Sequence, residues 1–159
     1  MLGCWSFQPG LQVPGKVCKF NSTWLDMKLT KFSRNRMMES ATHWTVPREY
    51  FDPLYNYLVH GFEPGSFWSA VLANDFMQAM QHSHPSNSIP HLKHVVGWIQ
   101  GSWPEAAYGD HSTIQTWIAF SGHERRLYLE QYSLIYSEQD EVMMALQNVR
   151  THEPFMGLT

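Results

Sequence analysis

The sequence predicts a mainly α-helical protein: a compact orthogonal bundle of five or six helices behind a small irregular or β-hairpin N-terminal extension. One observation is composition, since 43% of the 159 residues are hydrophobic and 14% are aromatic, enough to build a core. A second observation is that residues of the types that cap helices recur at short intervals from Thr45 to Ser137. The segments between them have apolar residues at the spacing of a helix. No apolar run approaches the roughly 18 residues that a membrane helix needs.

Charge divides the chain near residue 36. Residues 1–36 hold six Lys or Arg residues against Asp26 alone, whereas residues 37–159 hold five against 13 acidic residues. Charged residues make up only 16% of the chain, below the roughly 25% typical of soluble domains. Few charges and many aromatic residues predict exposed apolar area, which usually indicates a binding partner.

The basic N-terminal part carries a strand pattern. Leu25, Met27 and Leu29 alternate with polar residues, and residues 16–20 offer a second strand for a hairpin. Met37-Met38 is a second candidate for the start of translation. We therefore predict a basic extension over residues 1–36, as a hairpin or partly disordered, and a helical domain over 37–159 that folds without it.

The first predicted helix of the domain runs from about residue 47 to residue 60. Thr45 is a capping residue type, and Gly61 stands where a left-handed residue ends a helix. Pro53 lies inside this segment, so the helix is either kinked or begins at Asp52 and Pro53.

The second predicted helix spans residues 66–81. Pro64 and Gly65 form a turn, and Ser66 is the expected N-cap. The helix is apolar nearly all round, which predicts that it lies buried at the centre of the domain. Asn74 and Asp75 interrupt it, either as part of an exposed stripe or as a buried pair that satisfies a neighbouring turn or helix end.

Four further helices follow. They are predicted over about 90–100, from a cap at Asp110 or Ser112 to residue 120, over 122–132, and over 138–149; Ser121-x-x-Glu124 and Ser137-x-x-Asp140 resemble capping boxes. The predicted core comprises Phe67, Val71, Leu72, Phe76, Val96, Ile99, Trp117 and Ile118.

Two groups of residues have types that can carry chemistry. His82, His84, His91 and His94 could bind zinc or nickel, but no Cys or nearby carboxylate completes the set, and solvated or capping histidines are the default interpretation. Asp110, His111 and Ser112 provide an acid, a base and a hydroxyl, but a triad must converge from separate elements, and a helix start explains the acid and the hydroxyl. We therefore predict no catalytic residue, no metal and no cofactor.

The basic stretch over residues 16–36 is the predicted partner-binding segment. Its cations could contact phosphates while its aromatic residues stack on bases; an ordinary solvated hairpin is the alternative. The residues concerned are Trp24, Lys28, Lys31, Arg34 and Arg36.

Several ordered blocks between about residues 50 and 120 carry a resemblance. They are Tyr57-Leu58, Gly61-Phe62, Pro64-Gly65-Ser66-Phe67, Val71-Leu72, Asn74-Asp75, Val96-x-Trp98-Ile99, Tyr108-Gly109-Asp110 and Trp117-Ile118. This pattern resembles a group of small uncharacterised helical proteins common in bacteriophages, prophages and plasmids. The chain departs from it at Glu63, where Pro is usual, and at Asp110, where Ser is usual.

The resemblance implies an accessory protein of a mobile element, and it supplies no known activity. Such genes often encode small binders of host machinery, including inhibitors of restriction or CRISPR systems. We therefore expect a non-catalytic protein that binds and modulates a host or defence protein in the cytoplasm of a bacterial host. With only Cys4 and Cys18, reduced thiols are expected. The alternative is a nucleic-acid-associated accessory protein that uses the basic extension; an enzyme or metalloprotein ranks third.

Overall fold

The computed structural model describes residues 27–152, and in this range the predicted mainly helical class is confirmed. These residues form eight α-helices and no strand. The helices are α1 (Lys31–His43), α2 (Arg48–Tyr55), α3 (Ser66–Leu72), α4 (Phe76–His82), α5 (Ile89–Ser102), α6 (His111–Ala119), α7 (Gly122–Gln131) and α8 (Glu138–His152). A π-helical turn (Asn56–His60) continues α2, and a 3₁₀ turn (Glu105–Ala107) precedes α6. Trp24 and most of the predicted hairpin lie outside the described residues.

The predicted boundary at residues 36 and 37 needs correction, because it falls inside α1. Thr30 is the N-cap of this helix, and its side chain accepts a hydrogen bond from the backbone N–H of Ser33. Met27 and Met37 are buried in the core. Residues 27–30, which belong to the alternating pattern, therefore form the segment that precedes α1. They are part of the helical domain.

The segment α2 and its π-helical turn form the centre of the protein. The helix begins at Arg48 with Pro47 at the cap and retains Pro53 inside, while Thr45 has a positive φ of 58° and caps nothing. The segment ends at Gly61 with φ 65°, which confirms the predicted left-handed terminus. Fully buried side chains of this segment are Leu54, Tyr57, Leu58 and Val59.

A buried arginine closes the end of the π-helical turn. Arg125 Nε of α7 donates to the carbonyl of Val59 at 3.0 Å, and its Nη1 donates to the carbonyl of Phe120. Carbonyls at a helix C-terminus lack intrahelical donors, so this side chain supplies what the turn leaves unsatisfied. The guanidinium lies directly against Gly61, where any Cβ would meet it.

The four helices predicted after residue 89 are confirmed with small shifts of their ends. Ser88 caps α5, Asp110 caps α6, and Ser121 with Glu124 forms the predicted capping box of α7. Ser137 accepts a hydrogen bond from the N–H of Asp140 at 3.2 Å at the start of α8.

Two glycines on α5 receive the ring of Trp44. A Cβ at Gly101 would collide with this ring and one at Gly97 would press against it at 3.0 Å, so the glycines allow α5 to approach the C-cap residue of α1 closely. The indole Nε1 of Trp44 also donates to Ser102 Oγ at 3.0 Å.

The last helix, α8, is joined to α1 and α7 through the buried carboxylate of Glu141. This carboxylate accepts hydrogen bonds from Thr30 Oγ1 at 2.8 Å and from Ser33 Oγ, and it pairs with Arg126 Nη2 at 2.9 Å. Burial alone would raise the pKa of Glu141, but these donors together hold it below its ordinary value. The outer face of α8 is apolar and exposed at Val142, Met143, Leu146 and Val149.

Candidate functional site: an apolar groove between α3–α4 and α5

An open groove of about 670 Å³ lies between the α3–α4 pair and α5. We call it the apolar groove; apolar side chains make up most of its lining. Its lining residues are Phe67, Ala70, Val71, Asn74, Asp75, Phe76, Ala79, Met80, Ile89, Leu92, Lys93, Val96, Gly97 and Gln100. Its volume is within the range of sites that bind ligands or peptide side chains.

The groove is bordered by large apolar side chains that face solvent. Their exposed fractions are 70% for Phe76, 51% for Met80, 67% for Ile89 and 38% for Val96. Scattered exposed apolar residues are ordinary, but four around one concavity form a patch of the kind that binds a partner.

This exposure corrects the predicted core at two positions. Phe76 and Val96 were expected to be largely buried and are instead exposed. Leu72, Ile99 and Trp117 are buried as predicted. Phe67, Val71 and Ile118 are partly buried against the core cluster.

The groove exists because the helix predicted over residues 66–81 is broken in two. Asn74 adopts a left-handed φ of 57°, and Asp75 then caps α4 by accepting a hydrogen bond from the N–H of Gln78. Because the chain turns at this point, the apolar side chains of α4 leave the core and face the groove. The predicted single helix at the centre of the domain is therefore wrong.

The break is held by the loop before α6. Asn74 Nδ2 donates to the carbonyl of Gly109 at 3.0 Å, and the N–H of Gly109 donates to the carbonyl of Leu72 at 2.9 Å. Each of the two interpretations of Asn74 and Asp75 is partly correct. Asn74 is exposed and Asp75 is partly exposed, as an exposed stripe requires, but their side chains also satisfy a turn and a helix start, as the buried pair was expected to do.

Ser66 does not cap α3 as predicted. The helix does begin at Ser66, but the cap position belongs to Gly65, with φ 86°, and no side chain accepts a hydrogen bond there. The Pro64-Gly65 turn therefore sets the start of the helix through backbone geometry rather than through a hydroxyl group.

Asp75 gives the groove a charged edge. Its Oδ2 lies 3.3 Å from His111 Nε2 and its Oδ1 accepts from the N–H of Gln78 at 3.2 Å; these two contacts hold the pKa of Asp75 below its ordinary value. Asp75 also lines an adjoining recess of about 300 Å³. The other residues of this polar recess are Glu63, Ser66, Ser69, Ala70, Gln78, His82 and His111.

Two residues of the predicted basic segment, Lys28 and Arg34, line one open recess. Arg34 pairs with Asp52 at 3.5 Å, whereas Arg36 Nε donates to the carbonyl of Ser133 at 2.9 Å. Lys28 and Lys31 are exposed. The nucleic-acid role of this segment stays a prediction, since residues 16–26 lie outside the described range.

The four histidines do not assemble into a metal site. Among the described residues, no group of three or more His, Cys, Asp or Glu side chains could hold a metal ion. His84 Nδ1 instead lies 2.6 Å from Ser86 Oγ in the loop between α4 and α5. His82, His91 and His94 are exposed.

Asp110, His111 and Ser112 do not form a triad. Asp110 accepts hydrogen bonds from the N–H of Thr113 at 2.7 Å and from its hydroxyl at 3.0 Å, which lower the pKa of this cap. His111 is directed to Asp75 instead of to Asp110. The helix start accounts for the acid, as the sequence indicated.

The tryptophans of the resemblance pattern are structural. Trp98 and Trp117 are fully buried; Trp98 Nε1 donates to Ser40 Oγ at 3.1 Å and Trp117 Nε1 donates to the carbonyl of Tyr57 at 3.3 Å. Phe67, by contrast, lines the apolar groove, although sequence reasoning placed it in the core.

Sequence reasoning missed Met80, Ile89 and Lys93 as site residues. The signal was present in the segment 66–81, which has more apolar residues than one buried helix face can use. Combined with the low charge of the chain, that excess indicates an interface.

No helix within residues 27–152 is long and apolar enough to cross a membrane. Comparison with family models, with curated proteins and with solved structures found no match to this chain.

Proposed function

We propose that this protein is a non-catalytic binding protein that holds an apolar segment of a partner protein in the apolar groove. The observation that carries the proposal is the set of large apolar side chains left in solvent around one concavity, Phe76 and Met80 foremost. Burying such side chains against a partner contributes roughly 25 cal/mol for each Å² removed from water.

The chemistry of the lining favours a helical segment of a protein as the occupant. Grooves between helices commonly receive the apolar face of an amphipathic helix, and flexible Met side chains adapt to such a face. Met80 lines this groove and is half exposed, so its flexible side chain is available to such a face.

The resemblance to proteins of phages, prophages and plasmids supports a mobile-element origin. On that basis we propose that the partner is a host or defence protein, such as a component of a CRISPR or restriction system, that the protein acts as its modulator or inhibitor, and that binding takes place in the bacterial cytoplasm.

A capture experiment with matched variants tests the proposal. The tagged full chain, a Phe76→Ser/Met80→Ser variant and a Val142→Ser/Leu146→Ser variant are incubated with bacterial lysate, and bound proteins are quantified by mass spectrometry. The first variant removes apolar groups from the groove, and the second removes equally exposed ones from α8.

We expect a partner that is retained by the wild type and by the α8 variant but lost by the groove variant. A partner that binds all three chains equally would show that the groove does not carry the function. Loss of binding confined to the α8 variant would show that the exposed face of α8, and not the groove, binds the partner.

A further inference from the structure

The apolar groove has opposite charges on opposite walls. Asp75 precedes α4 on one wall and Lys93 belongs to α5 on the other. They are the only charged residues among the described side chains that line the groove. A ligand that fills the groove must therefore pass between a fixed acid and an exposed base.

The charge of Asp75 is fixed in place by its surroundings. The carboxylate is held by the Gln78 N–H and by His111 at the edge that the groove shares with the adjoining recess. That recess is also lined by Glu63, which adds a second carboxylate, and by His82. This wall therefore attracts a cation, whereas the Lys93 wall attracts an anion.

We propose that the apolar groove takes an amphipathic helix of the partner protein in one orientation, with a basic residue facing Asp75 and an acidic residue facing Lys93. This inference rests on the proposed function and names the chemistry of the ligand. Apolar side chains along one face of the helix supply most of the affinity, whereas the flanking charges select orientation and partner.

The experiment selects ligands without presupposing a sequence. A display library of 16-residue peptides, with leucines fixed at helical spacing and the flanking positions randomised, is selected on the full chain and depleted on Phe76→Ser. Selected peptides are then measured by fluorescence anisotropy against the wild type, Asp75→Asn and Lys93→Glu. Asparagine caps helices as well as aspartate does, so Asp75→Asn removes the charge and keeps α4.

We expect selected peptides to carry Lys or Arg on one flank and Asp or Glu on the other. Replacing the basic residue by Gln should weaken binding to the wild type about threefold to fivefold, as expected for a partly exposed ion pair. The same replacement should change affinity less than about twofold on Asp75→Asn. Lys93→Glu should reverse the preference on its own flank from acidic to basic.

The other outcomes each overturn a defined statement. Peptides that depend on Phe76 but show no charge preference would refute the orientation and leave the proposed function standing. No Phe76-dependent peptide at all would refute the proposed function and this inference with it. Self-association of the free chain that Phe76→Ser abolishes would make a second copy the occupant.

Discussion

At the scale of single residues, Gly61 and Arg125 show how closely a glycine and a buried side chain pack in this fold. Gly61 adopts a left-handed φ of 65°, and a Cβ there would lie 2.6 Å from Arg125 Nη1 and 3.3 Å from the carbonyl of Ile118. The glycine thus serves two purposes: it ends the π-helical turn, and it leaves room for the guanidinium that satisfies the carbonyl of Val59. The sequence predicts the first purpose, whereas the second depends on α7 packing across the turn.

Gly61→Ala is expected to destabilise the protein by about 2–4 kcal/mol, because left-handed strain of about 1–2 kcal/mol adds to displacement of a buried, hydrogen-bonded arginine. Gly65→Ala is a control without a clash, since Gly65 has no atom within 4 Å of a Cβ. Its φ of 86° and ψ of 164° lie in a region that only glycine readily adopts, so its loss reports backbone strain alone. Urea unfolding measures both free energies, and a Gly61→Ala loss no larger than the left-handed strain of about 1–2 kcal/mol would mean that Arg125 adjusts without cost.

At the scale of elements, the division of one apolar segment into α3 and α4 creates the candidate site. Had residues 66–81 formed one helix, Phe76 would have turned into the core with Leu72. The left-handed Asn74 and the cap at Asp75 redirect the chain, and Gly109 fixes the break from outside. The stability of the fold and the exposure of the groove are therefore separable by mutation.

Leu72→Ala and Phe76→Ala provide that separation. Leu72 is fully buried, so its truncation should cost about 2–5 kcal/mol, whereas Phe76 is mostly exposed and should cost less than about 1 kcal/mol. Thermal or urea unfolding gives both values, and the Phe76 variant should lose partner binding while it keeps its stability. A large stability loss for Phe76→Ala would show that α4 packs in the core through Phe76.

The attachment of α8 predicts a dependence of stability on pH. Because the folded pKa of Glu141 lies below its unfolded value, its contribution is fully present above the unfolded pKa and is lost as the pH falls through the folded pKa. Glu141→Gln should therefore reduce the unfolding free energy at pH 7, and the difference from the wild type should shrink below about pH 4.5. Urea midpoints measured from pH 3 to pH 7 test this.

Glu138→Gln is the control for that pH series. Glu138 also lies near Arg126, at 3.7 Å, but its side chain is mostly exposed. Its substitution should leave the wild-type pH profile unchanged. A Glu141→Gln profile parallel to that of the wild type would show that the buried carboxylate does not set the acid sensitivity.

The sequence predicts well what local signals determine. The caps at Asp110 and Ser121 and the terminus at Gly61 follow from side-chain and backbone chemistry within a few residues, and the structure confirms all three. Prediction from the sequence fails where a contact between residues distant in the chain determines the local structure. Asn74 is an example, because its partner Gly109 is 35 residues away. The groove belongs to the second kind, since its two walls meet only in the folded chain.

At the scale of the whole molecule, burial is centred on α2 and its π-helical turn, with α3–α4 and α8 placed around it. The fully buried aromatic side chains Tyr57, Trp103 and Trp117 pack in or against this centre. Most of the large exposed apolar side chains among the described residues lie on α4, at Ile89 and Val96 of α5, and on α8. The chain thus separates a buried centre from outer helices available for binding.

The last prediction concerns where the folding unit begins. A chain that begins at Met38 lacks Ser33 and Met37, which are fully buried, and the first half of α1 with them. Losing the Met37 side chain alone costs about 2–5 kcal/mol, a large share of the roughly 5–15 kcal/mol that stabilises a domain. It also removes the Ser33 hydroxyl that donates to Glu141 and accepts from the N–H of Tyr136.

We therefore expect the chain that begins at Met38 to lose its cooperative thermal transition, monitored by near-ultraviolet circular dichroism. A chain that begins at Met27 keeps all of these groups and should melt within a few degrees of the full chain. The same two chains, assayed with a groove-binding peptide, separate folding from function, because none of the described residues before Phe67 lines the groove. A cooperative melt of the Met38 chain near that of the full chain would restore the boundary at residues 36 and 37 and show that the N-terminal half of α1 is dispensable.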